Sequence, residues 1–229
     1  MGKANSLVPG NLSSLVVDYL KNKILAGHYK EGDHVTEVNI AEELGISRAP
    51  VREGIRELQN QGLMKSVPRK GNFVVRMGLE DVREIFDIRI LLEDSVLEII
   101  IKEKKLSEAD FSNLNNIVRE MVTIAEGQGE EAEKIVRINE KDMEFHSYLW
   151  EKSGSKRREK VLRDLYVQLQ MAMVIDTQLT GDLDVTAKDH YEIIRYLKAG
   201  DLESCKKALK NHIITYKIEE AVNVNREGE

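Results

Sequence analysis

The sequence predicts a mostly α-helical protein: a helix-turn-helix head with a small β-hairpin wing, then an all-α, six-helix antiparallel bundle. Three observations predict it. Between Val35 and Val75, two short helical patterns are separated by Gly45 and followed by two β-prone runs. After Arg76 the chain has few helix breakers, and its last proline is Pro68. Apolar residues make up 41% and charged residues 32%, the balance of a folded, helix-rich chain and not of a disordered one.

The head begins with a loose arm over residues 1–10 and a helix over about 12–26, where Leu15, Val16, Tyr19, Leu20, Ile24 and Leu25 recur at helical spacing. A turn at Lys30-Glu31-Gly32-Asp33 follows. Ile40, Ala41 and Leu44 mark a second helix that Gly45 ends. Ser47 is placed to cap a third helix, with Pro50 in its first turn, where a missing N–H costs nothing. Val51, Ile55 and Leu58 give that helix an apolar face. Arg48, Arg52 and Arg56 give it a basic stripe at i, i+4 and i+8. Two helices, a tight turn and arginines near the second N-terminus are the layout of a DNA-reading helix-turn-helix. Beyond Gly62-Leu63, two β-prone runs flank Pro68-Arg69-Lys70-Gly71. This predicts a wing whose Arg69 and Lys70 lie along phosphates or a minor groove.

Whole-chain charge is −6, which by itself argues against a nucleic-acid partner. The halves differ in sign. Residues 1–78 carry 11 Lys/Arg against 8 Asp/Glu, a net +3; residues 79–229 carry 23 against 32, a net −9. The basic excess sits in the head, where local field matters more than the overall balance. No apolar run approaches the ~20 residues of a membrane span, so no membrane partner is expected. Cys205 is the only cysteine, which excludes an intrachain disulfide and suits a cytoplasmic protein.

The expected domains are residues 1–78, the DNA-binding head, and residues 79–229, the helical bundle. In the bundle one helix spans Leu79–Lys104, with Ile85, Ile88, Leu92, Val96 and Ile99/Ile100 along its inner face. Ser107 and Asp110 cap a second that runs to about Glu126. Further helices are expected over about 130–152, 156–177, 185–198 and 202–224, with glycines at 127, 129, 154, 181 and 200 in or beside the breaks.

Three of the five histidines fall in this bundle. Asp142 and His146 stand four apart and share one helix face. His190 precedes Gly200 by ten residues and His212 follows it by twelve. A hairpin at Gly200 brings those two to nearly equal heights, about 15 and 18 Å along their axes at ~1.5 Å per residue. One carboxylate and three imidazoles then form an N₃O site for a divalent transition metal. Such a site can leave coordination positions for a small carboxylate effector. Arg89 is its expected second anchor, unless it is simply the i, i+4 partner of Glu93.

The run Glu37…Leu44-Gly45-Ile46-Ser47-Arg48-Ala49-Pro50-Val51-Arg52-Glu53…Leu58…Gly62-Leu63, ending in Arg69-Lys70-Gly71…Val74, resembles the N-terminal domain of GntR-type transcriptional regulators. The resemblance implies that Arg48 and Arg52 contact bases and that Gly71 sits at the wing tip. Some relatives carry a DNA-contacting arginine directly after the glutamate that matches Glu37; Val38 stands there in this chain. The pieces Asp81…Arg89-Ile-Leu-Leu-Glu93, Asp142-Met-Glu-Phe-His146 and His190…Gly200-Asp201…Ala208…His212 resemble the FadR-type subgroup with an FCD ligand-binding domain. In its metal-containing members, residues matching Asp142, His146, His190 and His212 hold zinc, nickel or a similar ion.

The expected function is that of a homodimeric regulator, a repressor that binds a double-stranded DNA operator. A small carboxylate effector at the metal site would bias it between arrangements that fit the operator and arrangements that do not. A regulator that senses the metal alone is the first alternative. A metallohydrolase is the second, weakened because Glu144, the one acid beside the ligand positions, points to another helix face.

Overall fold

A computed structural model describes residues 9–180 and 182–213 of the chain. The chain divides into two compact units, Met1–Met77 and Gly78–Glu229.

The first unit opens with α1 (Pro9–Leu25), so residues 9 and 10 of the expected arm already belong to the helix. Proline suits that first position because its missing N–H has no intrahelical partner there. Strand β1 (His34–Val35), α2 (Glu37–Leu44) and α3 (Arg48–Asn60) follow, then β2 (Met64–Val67) and β3 (Gly71–Val74). The side chain of Thr36 caps α2 by accepting from Asn39 N at 3.2 Å, and Gly45 closes it in the left-handed region at φ 64. Ser47 occupies the N-cap of α3, but its hydroxyl makes no capping hydrogen bond, contrary to expectation. Val16, Leu20, Ile40, Val51, Ile55, Leu58, Leu63, Met64 and Val74 build the core, which binds α1 to α3 and α3 to the sheet.

Gly54 sets how close α1 and α3 come. A Cβ there would lie 2.7 Å from Val16 Cγ1 and 3.1 Å from the Ser13 carbonyl oxygen. The wing is a three-stranded antiparallel sheet in the order β1-β3-β2, larger than the expected hairpin because His34 and Val35 pair with Phe73 and Asn72. Its β2–β3 register sets Met64 opposite Val74 and Val67 opposite Gly71. The tip is therefore Pro68-Arg69-Lys70. Gly71 comes just after it, as the first residue of β3, at φ 106 with the His34 ring where a Cβ would stand.

Among the described residues of the second unit every element is a helix: α4 (Leu79–Lys102), α5 (Glu108–Glu126), α6 (Glu131–Ser153), α7 (Lys156–Asp164), α8 (Tyr166–Thr180), α9 (Leu183–Lys188), α10 (His190–Ala199) and α11 (Leu202–Ile213). Ser107 and Asp110 form the expected capping box on α5, and Gly154 and Gly200 end α6 and α10 in the left-handed region. Residues 214–224 of the last expected helix lie outside the described residues.

Eight helices stand among the described residues of this unit, where the sequence predicted six. One expected helix is interrupted at Leu165 and another at Asp189. At Asp189 the hydrogen bonding tightens for one step, from Glu192 N to the Asp189 carbonyl at 3.1 Å, with no glycine or proline at the interruption. Along α4 the buried face is Val82, Ile85, Phe86, Arg89, Glu93, Val96, Leu97 and Ile100. Ile88 and Leu92 were expected on it, but Ile88 is 37% exposed and Leu92 only half-buried. The middle of the stripe belongs to an arginine and a glutamate. No helix among the described residues is long and apolar enough to cross a membrane.

Candidate metal centre and nucleic-acid interface

Helix α6 and the α10–α11 hairpin carry the buried polar cluster of the second unit. The helical period of α6 sets Asp142 and His146 on one face, while α10 and α11 fold back at Gly200 and bring His190 and His212 to the same place. One ligand atom from each of the four residues lies within 4.8 Å of all the others, and all four residues are buried. Asp142 Oδ1 is 2.9 Å from His212 Nε2, 3.1 Å from His190 Nε2 and 3.8 Å from His146 Nε2. The Nε2 atoms of His146 and His212 are 3.3 Å apart.

The far side of the rings shows which nitrogens face inward. His146 Nδ1 is 2.5 Å from Glu93 Oε2, and His190 Nδ1 is 3.1 Å from the Thr186 carbonyl oxygen. Carbonyl and ionised carboxylate oxygens only accept, so both rings carry the proton on Nδ1 and present the Nε2 lone pair to the cluster. His190 Nε2 has no hydrogen-bond partner although Asp142 Oδ1 is 3.1 Å away; with the ring proton on Nδ1, both atoms are acceptors. Lone pairs aimed at a common centre suit a cation. Donors at about 2.0–2.1 Å from a tetrahedral zinc stand about 3.3 Å from each other, within the range found here. The donor set fits a divalent transition metal.

Arg89 and Glu93 tie the ligands together. Arg89 is 1% exposed; its Nε donates to Glu93 Oε1 at 2.8 Å and its Nη2 to Asp142 Oδ2 at 3.1 Å. The i, i+4 pair weighed for Arg89 therefore forms, and a second, longer-range pair with it. The chain His146–Glu93–Arg89–Asp142 joins two of the four ligand positions through one guanidinium. Burial alone would raise the Asp142 carboxyl, but the Arg89 guanidinium beside it holds it well below the usual carboxylate range. Glu93 likewise resists burial, with His146 and Arg89 bringing it down to about 2. Burial lowers His146, and burial with the neighbouring His190 brings His212 down to about 3. Ionised carboxylates and neutral imidazoles are the forms that bind metal.

Gln170 is buried, whereas Tyr148 donates to Asp110 Oδ1 at 2.5 Å in a separate cluster with Lys152 and Ser107. Glu144 is turned to the surface and pairs with Lys141.

In the first unit Ser47, Arg48, Arg52 and Arg56 are exposed along α3, and Arg69 and Lys70 are exposed at the wing tip. Glu37, at the start of α2, accepts from Arg52 through both carboxylate oxygens and from Arg48 at 3.4 Å. The sequence reading used Glu37 as a landmark and missed this contact. The partnerships of Glu93 with His146 and of Arg89 with Asp142 were missed as well; the only signal for them was a charged pair inside an apolar helical stripe.

Comparison with known proteins agrees with both units. Residues 12–74 match the family described as Bacterial regulatory proteins, gntR family, and residues 84–215 match the FCD domain. The uncharacterized HTH-type transcriptional regulator YdhC of Bacillus subtilis (strain 168) is 30% identical over 209 residues, 86% of this chain and 84% of that protein. A probable D-xylose utilization operon transcriptional repressor of Paenarthrobacter nicotinovorans is 27% identical over 207 residues, 90% of this chain and 87% of that one. Among solved structures, E. coli McbR/YncC shares the fold with a TM-score of 0.71 at 21% identity, over 95% of this chain and 98% of that one. These relatives are transcriptional regulators and not enzymes. A gntR-family helix-turn-helix unit joined to an FCD unit with a buried Asp/His cluster makes this chain a member of the GntR family of transcriptional regulators, of the FadR type.

Proposed function

We propose that the chain is a homodimeric repressor of the cytoplasm whose affinity for a double-stranded DNA operator is set by a small carboxylate effector. The effector binds at a divalent transition metal, zinc or nickel, held by Asp142, His146, His190 and His212. The observation that carries this reading is the convergence of those four donors, all buried, with two rings fixed by acceptors behind them. When bound, the metal supplies an electrophilic centre with coordination positions open to an anion. The protein's residues supply the rest. Asp142 contributes the charged ligand, and Glu93 and Thr186 hold His146 and His190 in the tautomer that offers Nε2. Arg89 sits beside the same cluster, close enough to attract an acid, and holds Asp142 and Glu93 in place.

At the DNA end, Arg48, Arg52 and Arg56 enter the major groove from α3, with Ser47 at its N-terminus on the backbone. Arg69 and Lys70, beside Gly71, follow the phosphates from the wing. Repression is favoured by the name of the D-xylose operon relative.

The test is metal analysis of the purified chain, followed by operator binding with and without dicarboxylates, hydroxy acids and sugar acids. Binding that an acid weakens in the wild type, but not in His190→Ala, supports the reading. Release by added metal alone, with no acid required, replaces it with metal sensing.

A further inference from the structure

Glu37 stands at the first position of α2, where the helix dipole favours a carboxylate, and its side chain is only 18% exposed. Arg52 approaches it edge-on. Its Nε is 3.1 Å from Oε1 and its Nη2 3.0 Å from Oε2, two parallel bonds from one side of the guanidinium. Arg48, one turn earlier on α3, reaches Oε2 with Nη2 at 3.4 Å. Both arginines remain open to solvent, Arg48 at 59% and Arg52 at 50%.

A guanidinium has two edges able to make paired hydrogen bonds, the side edge of Nε and one Nη, and the end edge of the two Nη atoms. Glu37 takes the side edge of Arg52. The end edge, with Nη1, is left for a partner, and it is an edge that matches the O6 and N7 acceptors of guanine in the major groove. An unsupported arginine on an exposed helix would sample many rotamers and reach phosphates as readily as bases. A buttressed one loses less freedom on reading a base and carries a charge already partly met.

We propose that Glu37 is a specificity-determining positioning residue: it buttresses Arg52 so that its end edge reads one guanine per half-site, and it lowers the chain's affinity for non-specific DNA. The proposal rests on the operator-binding reading above and adds a residue that touches no DNA itself.

The test uses the full chain. Wild-type protein first selects its preferred duplex from random double-stranded DNA, and affinities are then measured for that duplex, for versions with single G·C pairs replaced, and for unrelated DNA. In the wild type, replacement of the guanine read by Arg52 weakens binding roughly ten- to a hundredfold. In Glu37→Ala that penalty falls to about threefold or less, while binding to unrelated DNA stays equal or tightens; Glu37→Gln, which keeps the shape, lies between. In an Arg52→Lys background, which lacks the end edge, Glu37→Ala changes the penalty no further.

An undiminished penalty in Glu37→Ala overturns the proposal, as does an equal loss on all DNAs in Glu37→Gln. So does simple additivity with Arg52→Lys. In each of these cases operator binding itself stands. A wild-type chain that selects no sequence overturns the operator reading, and the buttress with it.

Discussion

Glu93 Oε2 lies 2.5 Å from His146 Nδ1, so a glutamate from α4 fixes the tautomer of a histidine on α6 inside a fully buried cluster. The other oxygen of that carboxylate is held by Arg89 at 2.8 Å, so Glu93 cannot turn away. A carboxylate behind a ligating imidazole raises its basicity and fixes its plane. Glu93→Gln is expected to weaken metal binding about 10- to 100-fold, measured by competition with a chromophoric chelator. An unchanged affinity would reduce Glu93 to a structural partner.

Metal that binds the folded chain and not the unfolded one must raise the melting temperature, by mass action. Chelation is therefore expected to lower the melting temperature of the wild type and to leave that of His190→Ala or His212→Ala nearly unchanged. Equal shifts in all three proteins would place the bound metal elsewhere.

Arg89 is hydrogen-bonded to both Glu93 and Asp142. Arg89→Met leaves two buried carboxylates without it, and breaking such a buried pair costs about 3–5 kcal/mol. A divalent metal brings positive charge back to the same place. The urea midpoint of Arg89→Met should accordingly recover more on adding zinc than that of the wild type does.

Gly54 is expected to resist enlargement. Replacing a mid-helix glycine with alanine gains about 1 kcal/mol where space allows, but overpacking costs about 1–3 kcal/mol. With Val16 2.7 Å from the site of the new Cβ, the second effect prevails. Gly54→Ala should lower the melting temperature of the separately followed head, and Gly54→Val more so.

The parts of the fold visible in the sequence were those with a local cause. Gly45, Gly154 and Gly200 end helices by their own backbone freedom, and Ser107 with Asp110 caps α5 across three residues. His190 and His212 could be paired because one hairpin at Gly200 relates them by simple counting, and their ring centroids are 4.1 Å apart. What was hidden depends on partners distant in sequence. Hydrophobic periodicity assigned the inner face of α4 to Ile88 and Leu92, and nothing local told that Arg89 and Glu93 would be buried by Asp142 and His146. Gly54 looks like an ordinary weak point in a helix until Val16 is packed on it. The interruptions at Leu165 and Asp189 carry no glycine or proline, so no local breaker marked them in the sequence.

Asp110 provides a pH test away from the metal cluster. Its carboxylate accepts from the Ser107 backbone and hydroxyl, from Tyr148 and from Lys152. Lys152 first, then Ser107 and Tyr148, hold its carboxyl well below the usual range. A carboxyl depressed by folding binds fewer protons in the native state than in the unfolded one, so its contribution is complete above the unfolded value of about 3.9. As pH falls below that value, the unfolded chain takes up a proton that the native chain refuses, and the contribution drains away. Asp110→Asn cannot titrate. Urea midpoints for both proteins at pH 7, 5, 4 and 3 should show the wild type more stable at pH 7 and 5, with the gap closing at 4 and 3. A gap that stays constant across this range would mean that the α5 cap and its Tyr148 and Lys152 contacts do not depend on the charge of Asp110.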